Sequence, residues 1–344
     1  MAVNVRDNAK NDLLWKEWAT LLNGVIFDAD AQQNQYDDLV KALYNVQTSK
    51  RWGEKAATFG GLGDYTAKTE GQAAAQDEAI EGYSKFIEHV TFAKDAIISK
   101  ELLDDNQIEE AKAKMFNLVM AYKRTRAKLA SMALVSSVAD TTTMTFGGKS
   151  IDISGADEVA LFNTAHPLKN SFTTVGSSST TNVTMSNLFS NNLGSDTTIL
   201  NKVSNRMRNF KDDRGEVLGF DADTIIIPGD DPEYEDFVKR IIGSDGEVGS
   251  NHNDINTQRG KWKLVVDYLW TGATGHPYII MSSKANKALL ASRFFDRTNL
   301  DIMNDIDVHS RNLTYNGFGR MSCGFTNWRH VAMGGVTGGT NLSA

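Results

Sequence analysis

Cysteine is almost absent from this chain: Cys323 stands alone among 344 residues. That excludes an intrachain disulfide and any multi-cysteine metal site, and it fits a protein assembled where thiols stay reduced. Proline is nearly as scarce, with four residues in all, so long disordered linkers are not expected and most of the chain should fold. No run of about 18 apolar residues occurs, and the opening MAVNVRDNAKND has no apolar signal core. Neither a membrane span nor a standard secretory leader is expected, which leaves the NVT, NLT and NLS triplets at 182, 312 and 341 as accidental glycosylation patterns. Positive charge is also short. Against 43 Asp and Glu there are 36 Lys and Arg, a formal charge of −7, so any contact with DNA should be local or weak.

What is present suffices for a sizeable core, at 41% hydrophobic and 23% charged residues. Residues 1 to 50 carry two short helical patterns, Leu13, Leu14, Trp18, Leu21, Leu22 and Leu39, Val40, Leu43, Tyr44, joined by the polar DADAQQNQ. Helices this short are marginal alone, so the segment reads as an arm that docks. Residues 52 to 82 are rich in Gly and Ala, a longer excursion than compact domains usually contain. YSKFIEHVTFAKDAII then suits a strand returning from it.

From Tyr83 to Phe146 there is neither Gly nor Pro. A helix is expected over about 106 to 136, with Asn106 and Glu109 at capping-box spacing and an apolar stripe through Met115, Leu118, Val119, Tyr122, Leu129 and Met132. Residues 171 to 198 hold 18 Ser, Thr or Asn in 28 positions, which marks a loop or domain boundary. Helix and strand then alternate: Ile199 to Phe210, TIIIP, PEYEDFVKRII, KLVVDYLW, PYIIMS, SKANKALLAS. From about 300 the pattern is β, with turn signals at Asn316-Gly317 and Thr326-Asn327.

Motifs that carry chemistry are weak when taken singly. FGGKS at 146 to 150 lacks the first glycine of a phosphate loop and leads into a strand-like IDIS, so a hairpin turn is expected. The acids of PGDDPEYED sit where a helix begins and suit a cap and the helix dipole better than Mg²⁺. Six histidines show no HExxH spacing, and GxSxG does not occur. Lys123, Arg124, Arg126 and Lys128 cluster on the long helix, reading as a solvated face or as partners for acids of a neighbouring subunit, ahead of an inner-surface contact. LFNTAHPLKN at 161 to 170 could be a hydrolase loop, with His166 served by Asp157 or Glu158, but no catalytic spacing accompanies it.

The order of parts says more: arm, glycine-rich excursion, returning strand, one very long helix, α/β unit, closing strands. It resembles the major capsid proteins of tailed phages, the Hong Kong 97-type fold. The likeness to Mu-type head subunits is carried by ALFNTAHPL, Ser-Asn-Leu at 186 to 188, TIIIP, and Arg320, Ser322, Gly324, Phe325 and Arg329. The resemblance implies an α+β fold with an N-terminal arm (1–50), an extended loop (51–82), a peripheral domain (83–194) with its spine helix, an axial domain (195–299), and peripheral strands with a tail (300–344). It further implies a non-enzymatic shell protein without cofactor or metal, forming pentamers and hexamers of an icosahedral capsid around double-stranded DNA. Its implied partners are copies of itself, a portal, a separate scaffolding protein, weakly held packaged DNA and a decoration protein, with no membrane. Assembly would take place in the host bacterial cytoplasm. Phe59, Leu62 and Tyr65 of the excursion are the expected inter-subunit contacts, and His166 is expected to make a structural hydrogen bond. An encapsulin-like compartment is the alternative reading of the same fold.

Overall fold

A computed structural model describes residues 3–7, 15–32, 34–59, 65, 67–74, 76, 81–168, 184–193, 198–213, 215–246 and 255–342. In chain order the elements are β1 (Asn4–Asp7), α1 (Lys16–Ala31), α2 (Gln35–Leu43), β2 (Asn45–Thr48), β3 (Gly53–Phe59), β4 (Glu81–Glu88), β5 (Val90–Ile98), α3 (Lys100–Asp104) and α4 (Ile108–Ser136). There follow β6 (Thr143–Phe146), β7 (Lys149–Asp152), β8 (His166–Pro167), β9 (Thr184–Met185), α5 (Thr198–Arg208), β10 (Thr224–Pro228) and α6 (Pro232–Gly243). The chain closes with β11 (Lys263–Asp267), β12 (Tyr278–Met281), α7 (Ser283–Ala288), β13 (Ser292–Ile306), β14 (Leu313–Phe325) and β15 (Val331–Gly334). The class is α+β. The chain divides into a unit of Met1–Glu54, Ile87–Ala130 and Phe294–Cys323, and a second of Lys55–Phe86, Ser131–Arg293 and Gly324–Ala344. Described residues on both sides of the polar tract fall in the second unit, and positions 169–183 and 194–197 of the chain lie outside the described residues.

In the first unit the sheet order is β1-β13-β14-β5, with β2 also on β13. β14 runs antiparallel to β5 from Leu313 opposite Ile98 to Met321 opposite Val90. Asn316-Gly317, expected as a turn, therefore lies inside a strand, opposite Asp95 and Lys94. Helix approach explains Gly319, where a Cβ would overlap the Tyr122 ring of α4, whereas one on Gly317 would make only ordinary contacts, 3.4 Å from Leu300 and 3.6 Å from Leu118. Glycine at 319 lets α4 lie close on the sheet, and neither glycine breaks the strand.

α4 runs 29 residues, about 44 Å at about 1.5 Å each, as the absence of Gly and Pro predicts. It starts at Ile108, so Asn106 is not its cap. Asn106 takes a left-handed φ of 53° in the turn after α3, a conformation asparagine tolerates. α1 is also longer than expected, because DADA continues the helix instead of linking it to the next. Its C-terminal end is satisfied from a distance: Lys123 Nζ donates to the carbonyls of Ala29, Asp30 and Gln32 at 3.2, 2.8 and 2.9 Å, capping carbonyls left open at a helix end. α1 and α2 bury Leu22, Ile26, Leu39, Val40 and Leu43, and the Tyr44 hydroxyl donates to Ala130 O at 2.8 Å.

The second unit holds a sheet ordered β11-β10-β12-β15, with β10 parallel to β11 and antiparallel to β12. TIIIP forms β10 and is buried throughout. The Asp231 carboxylate accepts from the N–H groups of Glu233 and Tyr234 at 3.0 and 3.1 Å, capping α6 where Pro232 opens it. FGGKS is the hairpin between β6 and β7, with Gly147 and Gly148 at φ 58° and 80°, as a two-residue hairpin turn demands.

Candidate functional site

Three sequence landmarks far apart in the chain meet in the second unit. The His166 ring is fully buried and stacks on Trp328 at 4.3 Å between centroids, 12° from parallel. Its Nδ1 lies 2.7 Å from Asp157 Oδ2 and its Nε2 lies 3.1 Å from Asn187 Oδ1. Asn187 is oriented by its other contacts: Nδ2 donates to Leu161 O at 2.8 Å and Val331 O at 3.2 Å, and Oδ1 accepts from Asn163 N–H at 2.9 Å. Both ring nitrogens thus face side-chain oxygens that can accept a hydrogen bond. Beside this cluster Arg329 donates to Lys211 O at 2.7 Å and Asp213 at 2.8 Å. A hydrolase needs its base open to substrate and set against a nucleophile; His166 has neither, and holds ALFNTAHPL, Ser-Asn-Leu and the Trp328 loop together. The structural role expected for it is the one observed.

The other buried histidines are also engaged. His330 Nδ1 donates to Asn327 O at 2.8 Å, which leaves Nε2 to accept from the Ser292 hydroxyl at 2.5 Å. Burial pushes its pKa down to about 3 against the opposing pull of the Asn327 carbonyl, so the ring is neutral. Ser292 and His330 are chemically a serine–base pair, yet both are completely buried. In the first unit, the Ser49 hydroxyl donates to Glu54 at 2.7 Å, so His89 Nε2 donates to Ser49 at 3.0 Å and Nδ1 accepts from Ser322 at 2.8 Å. Burial lowers the pKa of His89 too. Among the described residues no group of three or more His, Cys, Asp or Glu could hold a metal ion, and no helix is long and apolar enough to cross a membrane.

The basic cluster on α4 splits in two. Arg124 and Lys128 are exposed. Arg126 is buried and grips Asp296 with two bonds of 3.1 and 2.8 Å, reaching Asp37 at 3.2 Å, while Lys123 caps α1. Two of the four expected surface cations therefore belong to the core of the first unit, paired within the chain. This corrects the expectation of a solvated or inter-subunit role, since the i, i+3 spacing of 123 and 126 turns both toward the packed face.

The outer surface has the opposite character. Among the described residues β3 and β4 pair only with each other, and a two-stranded ribbon alone is marginal in water. Lys85 anchors its base within the second unit, donating to Ser154 O at 2.6 Å and standing 3.1 Å from Asp152. Burial alone would raise the Asp152 pKa, but Lys85 and Ser154 outweigh it and hold the carboxyl below its ordinary value. Trp52 and Phe86 are exposed and Tyr65 is fully so. The Phe59 side chain and Leu62 lie outside the described residues. In the first unit, Phe92, Lys94, Leu118, Tyr122, Arg124 and Leu300 line an apolar cleft of about 180 Å³ between α4 and β5.

No family model and no curated protein matches the chain. The chain is similar to solved capsid structures. The capsid of an empty GTA particle aligns at 10% identity over 88% of this chain and 91% of that one, with a TM-score of 0.48. The procapsid of bacteriophage JBD30 aligns at 13% over 94% and 75%, with a TM-score of 0.49. A virus-like particle from Pyrococcus furiosus aligns at 8% over 92% and 99%, with a TM-score of 0.47.

Sequence reasoning missed Asn187, Lys123, Arg126 and the Ser292–His330 pair as structural polar groups. Only Asn187 left a signal, as the centre of the Ser-Asn-Leu landmark.

Proposed function

We propose that this chain is the major capsid protein of a tailed double-stranded DNA bacteriophage, of the Hong Kong 97-type fold, forming pentamers and hexamers of an icosahedral shell. One observation carries the proposal: the histidines at 89, 166 and 330 are buried and held in hydrogen bonds, while Phe86 on the two-stranded ribbon and Trp52 and Tyr65 beside it stand exposed. An enzyme needs its reactive groups accessible; a subunit of a shell needs apolar surface that a neighbour can bury. Stable interfaces bury about 1,200 Å² or more, and the excursion carrying Phe59, Leu62 and Tyr65 is the segment proposed to supply part of that area in trans. A separate scaffolding protein, a portal and a decoration protein are the further partners of this proposal, with the virion as its location.

Electron microscopy of the chain expressed in bacteria tests it. Closed shells, with or without a co-expressed scaffold, are expected, and nuclease-protected DNA inside them would distinguish a phage head from an encapsulin-like compartment with a co-purifying enzyme. A chain that stays monomeric at high concentration, with no shells in lysates, overturns the proposal.

A further inference from the structure

The exposed side of α5 departs from the acidic character of the chain. At about 100° per residue, Asn201, Lys202, Asn205, Arg206, Arg208 and Asn209 fall within about 160° of arc, and all six are exposed. Leu200, Val203, Ser204 and Met207 occupy the buried side. No acid occurs anywhere in TILNKVSNRMR.

Lys261 joins this face from another segment of the second unit. Its Nζ donates to Ser204 Oγ at 3.2 Å and stands 4.7 Å from the centroid of the Trp262 ring. Asn201, Lys202, Ser204, Asn205, Arg208 and Lys261 line an open cleft of about 400 Å³. Asp221, paired with Arg208, is the acid that meets it, and among the described residues neither Lys202 nor Arg206 pairs with an acid. Burial first and the nearby Arg208 second hold the Lys261 pKa below its ordinary value, with Asp221 opposing.

Complementing the helix dipole accounts for cations in the last turn, hence for Arg206 and Arg208. It does not account for Lys202 in mid-helix or for Lys261 arriving from elsewhere. Three cations and two asparagines line the cleft, with Arg206 and Asn209 exposed on the same face beside it, and these are the groups that contact phosphate oxygens. Trp262 lies buried beneath Lys261, so bases have no ring to stack on, as single-strand sites require. α5 is about 16 Å long, a length over which duplex DNA carries about ten phosphates.

We propose that the α5 face with Lys261 is a sequence-independent contact for the phosphate backbone of duplex DNA. It rests on the shell proposal only in taking that DNA to be the enclosed genome. Three or four phosphate contacts make each site weak, and a shell repeats it in every copy.

Fluorescence anisotropy of a labelled duplex of about 20 base pairs, titrated with unassembled subunits separated from shells by gel filtration at about 50 mM salt, reads it directly. Binding is expected, with log K falling against log salt at a slope of about −3. The triple variant Lys202→Gln, Arg206→Gln, Lys261→Gln should weaken binding at least about tenfold and bring the slope toward about −1. The double variant Lys202→Arg, Lys261→Arg should retain binding, as should the control Lys112→Gln, Lys114→Gln, Lys239→Gln on other exposed surfaces. Unchanged circular-dichroism melting confirms that the variants fold. No duplex binding by the wild type, equal binding by the triple variant, or displacement by inorganic phosphate at matched ionic strength would each overturn the assignment. Electron microscopy of the same preparations separates the two proposals: shells formed by a chain that does not bind DNA through α5 leave the shell proposal standing.

Discussion

The His166 cluster and the β3–β4 ribbon are opposites. In the first, polar side chains from segments more than a hundred residues apart are buried and hydrogen-bonded, and a ring is stacked beneath them. In the second, two strands pair only with each other among the described residues, and Phe86 on the ribbon, with Trp52 and Tyr65 beside it, faces solvent. Buried polar groups are retained only when satisfied, and cost stability when a partner is removed. Exposed apolar groups cost the isolated chain little and become useful when something covers them. Damage to the buried clusters should therefore read out as unfolding, and damage to the ribbon as failed association of a folded chain.

The largest effect is expected at Arg126, the charged counterpart of the histidine cluster. Arg126→Ala leaves Asp296 buried without its main partner and should cost about 3–5 kcal/mol in denaturant unfolding. His166→Ala should cost about 2–4 kcal/mol, since it strands Asp157, whose Oδ1 already lacks a partner. An equally stable His166→Ala chain would break the comparison at its centre.

Acid should act on the buried side as well. His330 has a folded pKa of about 3, against about 6.5 when unfolded. Between those values the unfolded state binds the extra proton, so stability rises with pH. The contribution is fully present above about pH 6.5 and is lost as pH falls toward about 3, for a total of a few kcal/mol. His89, also lowered by burial, acts in the same direction. Unfolding midpoints at pH 7 and pH 4.5 check this, and His330→Gln should flatten the dependence.

Gly319→Ala sharpens the account of the first unit, because the added methyl would overlap the Tyr122 ring under α4. About 1–3 kcal/mol of destabilisation is expected.

These sites differ in how far the sequence reveals them. The long helix was legible because 64 positions from Tyr83 to Phe146 contain no breaker, and TIIIP because a short apolar run ended by proline has few other uses. The Gly147-Gly148 hairpin and the Asp231 cap follow from local chemistry and appear where expected. Lys123 and Arg126 misled because charge on a helix normally faces water; their partners Ala29 and Asp296 lie 94 and 170 positions away, beyond any local pattern. Asn316-Gly317 misled for the converse reason, since a turn dipeptide by local chemistry here runs through the middle of a strand, opposite Asp95 and Lys94. His166 was legible as a landmark, but its partners came into view only when the chain closed Asp157, Asn187 and Trp328 around it.

The smallest expected effect on stability belongs to Tyr65, in the connection between β3 and β4, and it is the most telling. Tyr65→Ser should change unfolding by no more than about 0.5 kcal/mol, because the ring touches solvent on every side in the single chain. Sedimentation velocity of wild type beside Tyr65→Ser, at matched concentration and with folding checked by circular dichroism, tests the central claim most directly. The wild type should sediment as large closed particles while the variant, equally folded, remains mostly as small species. A wild type that sediments as a monomer at every concentration, or a Tyr65→Ser chain that fails by unfolding, would contradict the account.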